Sequence, residues 1–239
     1  MTPVLTDPRL IVGLDLPSVE AAEAMVDRIG ASVTFYKIGL TLLARPGGVA
    51  FAQGLRARGK QVFQDWKLHD IGAQVEGAAR SVAEGGCDFL TVHAEPQVMR
   101  AAVAGRDAAG ADTKLLAVTV LTSLSDQDLV DLGYGFTAAD LVERRVRQAL
   151  DCGVDGVVSS PLEAARARQL ATEAGRSDFL IVTPGVRPSG ADHGDQQRVA
   201  TPRAALQVGA SHLVVARPII GAANPLTAAS AIIEEMLRA

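Results

Sequence analysis

Residues 65–70 read Asp65-Trp66-Lys67-Leu68-His69-Asp70, and this run sets two carboxylates, an amine and an imidazole within six positions. On an extended strand the side chains alternate, so Phe63, Asp65 and Lys67 share one face. Lys37 lies in a second apolar run, Tyr36-Lys37-Ile38-Gly39, and Asp15 follows a third, Val12-Gly13-Leu14. Charges beside a low-dielectric interior are costly unless paired, and an alternating Asp/Lys cluster compensates itself. Such a cluster has two readings: a catalytic array that presents fixed charge to a reacting group, or a structural ion-pair network. Asp70 has a reading of its own, because it precedes Ile71-Gly72-Ala73-Gln74 and is placed to cap a following helix.

The elements that must hold these charges are legible as an alternation. Short β-branched apolar runs predict strands at Leu10–Leu14, Val33–Ile38, Gln61–Trp66, Phe89–Val92, Leu115–Val120, Gly156–Val158, Leu180–Val182 and Leu213–Val215. Ala-rich amphipathic stretches predict helices near 18–29, 46–58, 72–85, 96–108, 138–151, 161–174, 202–209 and 225–238. Ser18 and Ser125 are candidate N-caps, and Gly30, Gly59, Gly85 and Gly110 fall where helices should stop. Eight strands, each followed by a helix, describe a single (β/α)8 TIM barrel spanning residues 1–239. The near-continuous apolar character of the strands agrees, since parallel strands are buried on both faces. A doubly wound open sheet is the alternative; no G-x-G-x-x-G follows the first strand, which weakens a dinucleotide-binding version of it. In a barrel the charges of the first three strands meet at the C-terminal rim, where active sites lie.

The same rim offers an anion site. Barrels often bind phosphate with the loops after strands 7 and 8. Here the first of these is a long Gly/Pro-containing loop from Thr183 to Arg198, with Arg187 and Gln196 in it, and its length predicts a functional lid. The second is Ala216-Arg217-Pro218-Ile219-Ile220-Gly221, where a short helix start and an arginine fork face the same end. A surface position is the alternative for Arg187 and the expected one for Arg198, whereas Arg217 directly follows a buried strand.

Composition narrows the function classes. The chain has 239 residues, 48% hydrophobic and 21% charged, enough for a substantial core and unlike a disordered chain. A formal charge of -4 argues against a nucleic-acid binder, and no apolar run reaches membrane-spanning length. The two cysteines, Cys87 and Cys152, form neither a disulfide framework nor a zinc motif and read as buried structural residues. The start of the chain lacks a basic segment followed by an apolar one, so the expectation is a cytoplasmic protein without a secretory signal. The four histidines form no metal-ligand cluster. His93 ends strand 4 and either lines the pocket or packs at the rim; His69 reads as surface or interface, His193 as loop and His212 as core edge.

Taken in order, these segments resemble the orotidine 5'-phosphate decarboxylase family. The likeness is carried by Asp65-x-Lys67-x-x-Asp70-Ile71 together with Val12-Gly13-Leu14-Asp15, Tyr36-Lys37-Ile38-Gly39, Thr91-Val92-His93-Ala94, Val120-Leu121-Thr122-Ser123, Thr183-Pro184-Gly185-Val186-Arg187-Pro188, Gly194-Asp195-Gln196 and Val215-Ala216-Arg217-Pro218. It covers essentially the whole chain. It implies a decarboxylase that uses neither cofactor nor metal and acts on orotidine 5'-phosphate. Lys67 would stabilise and protonate a ring carbanion, Asp65 would face the departing carboxylate, and Lys37 and Asp70 would complete a Lys-Asp-Lys-Asp array. Asp15 with Lys37 would bind ribose, Thr122 the pyrimidine, and Gln196 and Arg217 the phosphate, with Arg187 in the same loop. The resemblance also implies a homodimer with shared active sites, because the family residue at Asp70 reaches into the partner's site.

Two positions depart from the family pattern. After Asp-Ile the family continues Pro-Asn-Thr, whereas this chain has Gly72-Ala73-Gln74, so Gln74 stands where a threonine contacts substrate across the dimer, beside Ile71. The Gly that usually precedes the phosphate-binding arginine is Ala216, which keeps the backbone amide. A rival is the metal-using sugar-phosphate decarboxylase or aldolase of the same barrel superfamily, which carries an acidic residue where this chain has Lys37. A nucleotide-binding protein that has lost catalysis is the other alternative, and intact Asp65, Lys67 and Asp70 weigh against it.

Overall fold

The computed structural model describes residues 5–188 and 200–239. Eight parallel strands close into a barrel in sequence order: β1 (Leu10–Gly13), β2 (Phe35–Gly39), β3 (Gln61–Leu68), β4 (Phe89–His93), β5 (Lys114–Val118), β6 (Gly156–Val158), β7 (Leu180–Thr183) and β8 (His212–Val215), with β8 pairing back onto β1. A helix follows each strand, which gives the (β/α)8 architecture and excludes the open doubly wound sheet.

Alternation along the strands builds the interior. Ile11, Phe35, Phe63, Phe89, Leu116, Val182 and Val214 form one inward cluster, with T-shaped ring contacts at 4.9 Å between Phe35 and Phe89 and 5.9 Å between Phe63 and Phe89. Two residues further along each strand, the side chains again face inward but one layer nearer the C-terminal rim. That step converts Phe35 to Lys37, Phe63 to Asp65 and Phe89 to Thr91, so an apolar floor carries a polar layer above it. The outward faces of the strands pack under the helices in two further clusters.

The helices begin and end for local reasons. Ser18 accepts a hydrogen bond from the Ala21 amide and starts the helix Val19–Ile29, which buries Ala22, Met25, Val26 and Ile29 and ends at Gly30 with φ 69°. Ser125 and Asp128 form a reciprocal capping box at the start of the helix Asp126–Asp131. This short helix was not foreseen from the sequence, nor was Leu40–Leu43, because pieces of one or two turns carry too little periodicity to read. Asp70 does not cap the next helix in the expected way. Ile71 holds the N-cap position of Gly72–Glu84, and the Asp70 carboxylate accepts from the adjacent Ile71 amide at 2.7 Å. The free thiols Cys87 and Cys152 are buried, as their apolar surroundings predicted. Among the described residues, no helix is long and apolar enough to cross a membrane.

Candidate active site

A cavity of about 490 Å³ opens at the C-terminal ends of the strands. Asp15, Lys37, Asp65 and Lys67 line it in one group, Arg187, Ala216 and Arg217 come from the loops after β7 and β8, and Thr122 comes from the loop after β5. Phe63, Val118, Val120, Val158 and Val214 supply apolar walls. The sequence-predicted residues of β1, β2, β3, β5, β7 and β8 therefore meet in one place.

The charged group is a chain of alternating sign. Asp65 Oδ2 lies 2.8 Å from Lys67 Nζ and 3.4 Å from Lys37 Nζ, and Lys37 Nζ lies 3.3 Å from Asp15 Oδ1. The Asp65 and Lys37 side chains are 10% and 13% exposed, so both charges are held largely out of water. Burial favours the neutral form of Asp65, yet Lys37, Lys67 and the hydrogen bonds from Lys67 and Thr91 hold its carboxyl below the usual carboxylate range. Burial likewise favours a neutral Lys37, yet Asp65 and then Asp15 raise its ammonium above the ordinary lysine value. Both groups are thus ionised at neutral pH. Gly39 makes room for this pairing: a Cβ there would sit 3.3 Å from both Asp15 Oδ1 and Lys37 Nζ.

Strand β3 departs from regular pairing where it delivers Lys67. Gln64 pairs with Leu90 and Leu68 with Val92, so three residues of β3 oppose the single Thr91 of β4. Lys67 has φ 51°, an uncommon backbone conformation for a side-chain-bearing residue. Thr91 fills the gap: its Oγ1 accepts from the Lys67 amide at 3.0 Å and donates to Asp65 Oδ1 at 2.8 Å.

The remaining walls are anchored by their own contacts. Arg145 donates to the Thr119 carbonyl and, at 3.0 Å, to the Tyr134 hydroxyl, which holds both ends of the segment carrying Thr122. Arg187 is buried, at 8% exposure, which removes the surface alternative. Its amide donates to the Ala200 carbonyl at 3.0 Å and its Nη1 to the Val186 carbonyl at 2.9 Å. Ala216, in the family's glycine position, has φ -118° and carries no left-handed strain. Its methyl faces Gly13, where an added Cβ would approach it to 3.0 Å.

Some expected residues do not reach the cavity within one chain. Asp70, Ile71 and Gln74 are exposed at the start of the helix Gly72–Glu84 and are absent from its lining, so the array in a single chain runs Asp15-Lys37-Asp65-Lys67 without Asp70. Gln196, Arg198 and His193 lie outside the described residues. His93 is a rim residue, half-buried and stacked on His69 at 4.7 Å, while the exposed His69 sits 3.1 Å from Glu95. His212 lies at the opposite, N-terminal end of the barrel beside Phe89 and Phe35. Two residues were missed from the sequence. Thr91 was visible only as part of a family segment, since its role depends on the β3–β4 register. Ser159 directly follows β6 and lines the cavity with a hydroxyl that has no hydrogen-bond partner among the described residues.

Comparison with known proteins agrees with this geometry. The family model described as "Orotidine 5'-phosphate decarboxylase / HUMPS family" matches residues 8–232. The chain is 63% identical over 230 residues to a protein of Caulobacter vibrioides named orotidine 5'-phosphate decarboxylase, covering 96% of this chain and 97% of that one. A protein of the same name from Methylobacterium radiotolerans is 54% identical over 234 residues, covering 97% and 98%. The crystal structure of orotidine 5'-phosphate decarboxylase from Lactobacillus acidophilus superposes with a TM-score of 0.83 at 35% identity, covering 96% of this chain and 99% of that one. A closed barrel, a charged rim and near-complete matches of this strength place the chain in the orotidine 5'-phosphate decarboxylase / HUMPS family.

Proposed function

We propose that this chain decarboxylates orotidine 5'-phosphate to uridine 5'-phosphate and carbon dioxide, the last step of UMP biosynthesis. The observation that carries this reading is Asp65 Oδ2 held between the ammonium groups of Lys67 and Lys37, at 2.8 and 3.4 Å, at the mouth of an apolar cavity. Loss of CO2 leaves an electron pair on a ring carbon. Lys67 supplies a fixed cation beside that carbon and then a proton to it; solvent restores the proton to Lys67. Asp65 faces the substrate carboxylate, and their repulsion is relieved as neutral CO2 leaves. Charge that is already in place needs no reorganisation during the step, which is usually the largest catalytic contribution. Asp15 and Lys37 hold ribose, Thr122 the pyrimidine, and Arg217 with Gln196 and Arg187 the phosphate. Binding energy from that remote phosphate offsets the desolvation of the charged end.

We assign Asp70, Ile71 and Gln74 to the active site of a second copy of the chain, as expected of a homodimer with shared sites. Their exposure at the cavity end of the barrel supports this. The two free, buried cysteines fit a cytoplasmic enzyme, and a net charge of -4 fits one whose partner is a small molecule rather than nucleic acid or an anionic membrane. The metal-using rival reading is disfavoured because Lys37 Nζ already occupies the position between the Asp15 and Asp65 carboxylates where a divalent cation would be held. The deciding experiment follows the absorbance of orotidine 5'-phosphate with purified protein, with and without a chelator. Turnover unchanged by chelator is expected. A folded sample without turnover would overturn the proposal, and a strict metal requirement would select the rival.

A further inference from the structure

We propose that Thr91 is a positioning residue of the reaction, whose hydroxyl locks the Asp65 carboxylate and the Lys67 backbone into one rigid unit. This rests on the decarboxylase reading above. Thr91 is fully buried, so its hydroxyl has no direct contact with bulk water. A hydroxyl has one proton and two lone pairs, and here both functions are used across the β3–β4 bulge. The proton goes to Asp65 Oδ1 at 2.8 Å, and a lone pair takes the Lys67 amide at 3.0 Å.

The two bonds answer two separate problems. Asp65 Oδ2 is engaged by both lysines, whose flexible four-carbon stems can follow it if the carboxylate turns about its Cβ–Cγ bond. Fixing Oδ1 sets that angle, and with it the direction in which Oδ2 and Lys67 Nζ are presented to substrate. Lys67 in turn has φ 51°, and its amide lacks a regular ladder partner because the register skips there. The Thr91 oxygen is that partner, so the left-handed backbone that aims the lysine is held by the same atom that orients the aspartate. The bond to Asp65 also helps keep its carboxyl ionised despite burial.

Replacing Thr91 by Val preserves shape and removes both bonds, while Thr91→Ser keeps the hydroxyl and removes only the methyl. The expected result for T91V is kcat lowered about ten- to a hundredfold, the range for losing a hydrogen bond to a charged group, with KM changed by less than about threefold. T91S should recover at least about a third of wild-type kcat. The acid limb of the T91V pH profile should move upward, because Asp65 has lost a donor to its charged form. A T91V enzyme with wild-type kcat overturns the proposal, as does T91S impaired as deeply as T91V, which would assign the effect to methyl packing. If T91V does not fold, Thr91→Cys, whose thiol donates weakly, takes its place with the same expected loss and the same overturning result. The wild-type rate in the same assay reports separately on the decarboxylase reading. Carbon-13 NMR titration of Asp65 needs no turnover: an upward shift in the variant supports the role of Thr91, and an unmoved titration overturns it.

Discussion

Asp65 accepts hydrogen bonds from Lys67 and Thr91 and pairs with the Lys37 ammonium, and this density sets the expectations for single substitutions. On the proposed mechanism, truncating Lys67 removes both the fixed cation and the proton donor from the reacting end of the cavity while leaving the apolar floor untouched. We expect Lys67→Ala to keep its fold, read by circular dichroism, and to lose at least about four orders of magnitude in kcat, since each role alone is worth roughly two to four. Appreciable residual turnover would remove Lys67 from its role. Arg217 lines the same cavity, and in the proposed role of phosphate ligand its replacement, Arg217→Ala, should lower kcat/KM about ten- to a hundredfold, the worth of a charge-assisted contact to phosphate; an unchanged value would place the phosphate elsewhere. At this scale the sequence was readable where a rule is local. Alternation on one strand put Asp65, Lys67 and Phe63 on one face, and Lys37 on the neighbouring strand joined them. Thr91 was not readable, because nothing in the segment Phe89-Leu90-Thr91 announces that β3 will bulge opposite it. Asp15 was expected to bind ribose, and its direct pairing with Lys37 follows from strand proximity that only the closed barrel fixes.

The strands divide labour along their length. Their C-terminal halves carry the charges, and their N-terminal halves build an aromatic floor of Phe35, Phe63 and Phe89 that His212 closes from below, with ring contacts at 5.1 Å to Phe89 and 6.1 Å to Phe35. Burial pushes the His212 imidazole down to about 4, against the opposing pull of Asp7. The folded state therefore prefers neutral His212, while the unfolded chain takes up a proton near pH 6.5. Stability from this group is complete above the unfolded value and is lost as pH falls toward the folded one. Unfolding free energy should accordingly decline between about pH 6.5 and 4 by of order 3 kcal/mol from this residue. Urea melts of wild type and His212→Gln across that interval test this, with a flatter dependence expected in the variant; parallel curves would exclude His212 as the source. The strands and the longer helices were legible from the sequence because parallel buried strands are apolar throughout and each long helix has an amphipathic stripe, which helices of one or two turns are too short to show. The ends were less so: β3 extends to Leu68 and β1 stops at Gly13, since tertiary pairing and not propensity decides where a ladder ends.

The rim of a single chain exposes apolar side chains. Leu40 after β2, Ile71 after β3 and Leu121 after β5 are 50%, 65% and 39% exposed at the end of the barrel that holds the cavity. Asp70 and Gln74, flanking Ile71, point no charge or amide into their own chain's cavity. A twofold pairing that covers these apolar residues would carry Asp70 of each copy toward the Lys67 of the other, completing the alternating array that one chain breaks off at Lys67. That arrangement makes a prediction no monomeric enzyme satisfies. Lys67→Ala and Asp70→Ala homodimers should each be inactive, yet a mixture allowed to exchange subunits should regain activity. In a mixed dimer one site collects both lesions and the other collects neither, and half of the dimers in an equal mixture are mixed. Recovered activity should therefore approach about a quarter of wild type, with wild-type KM if the restored site is intact. Recovery would establish that residues 65–70 span two active sites of one dimer, whereas a mixture as inactive as its components would return Asp70 to its own chain's surface.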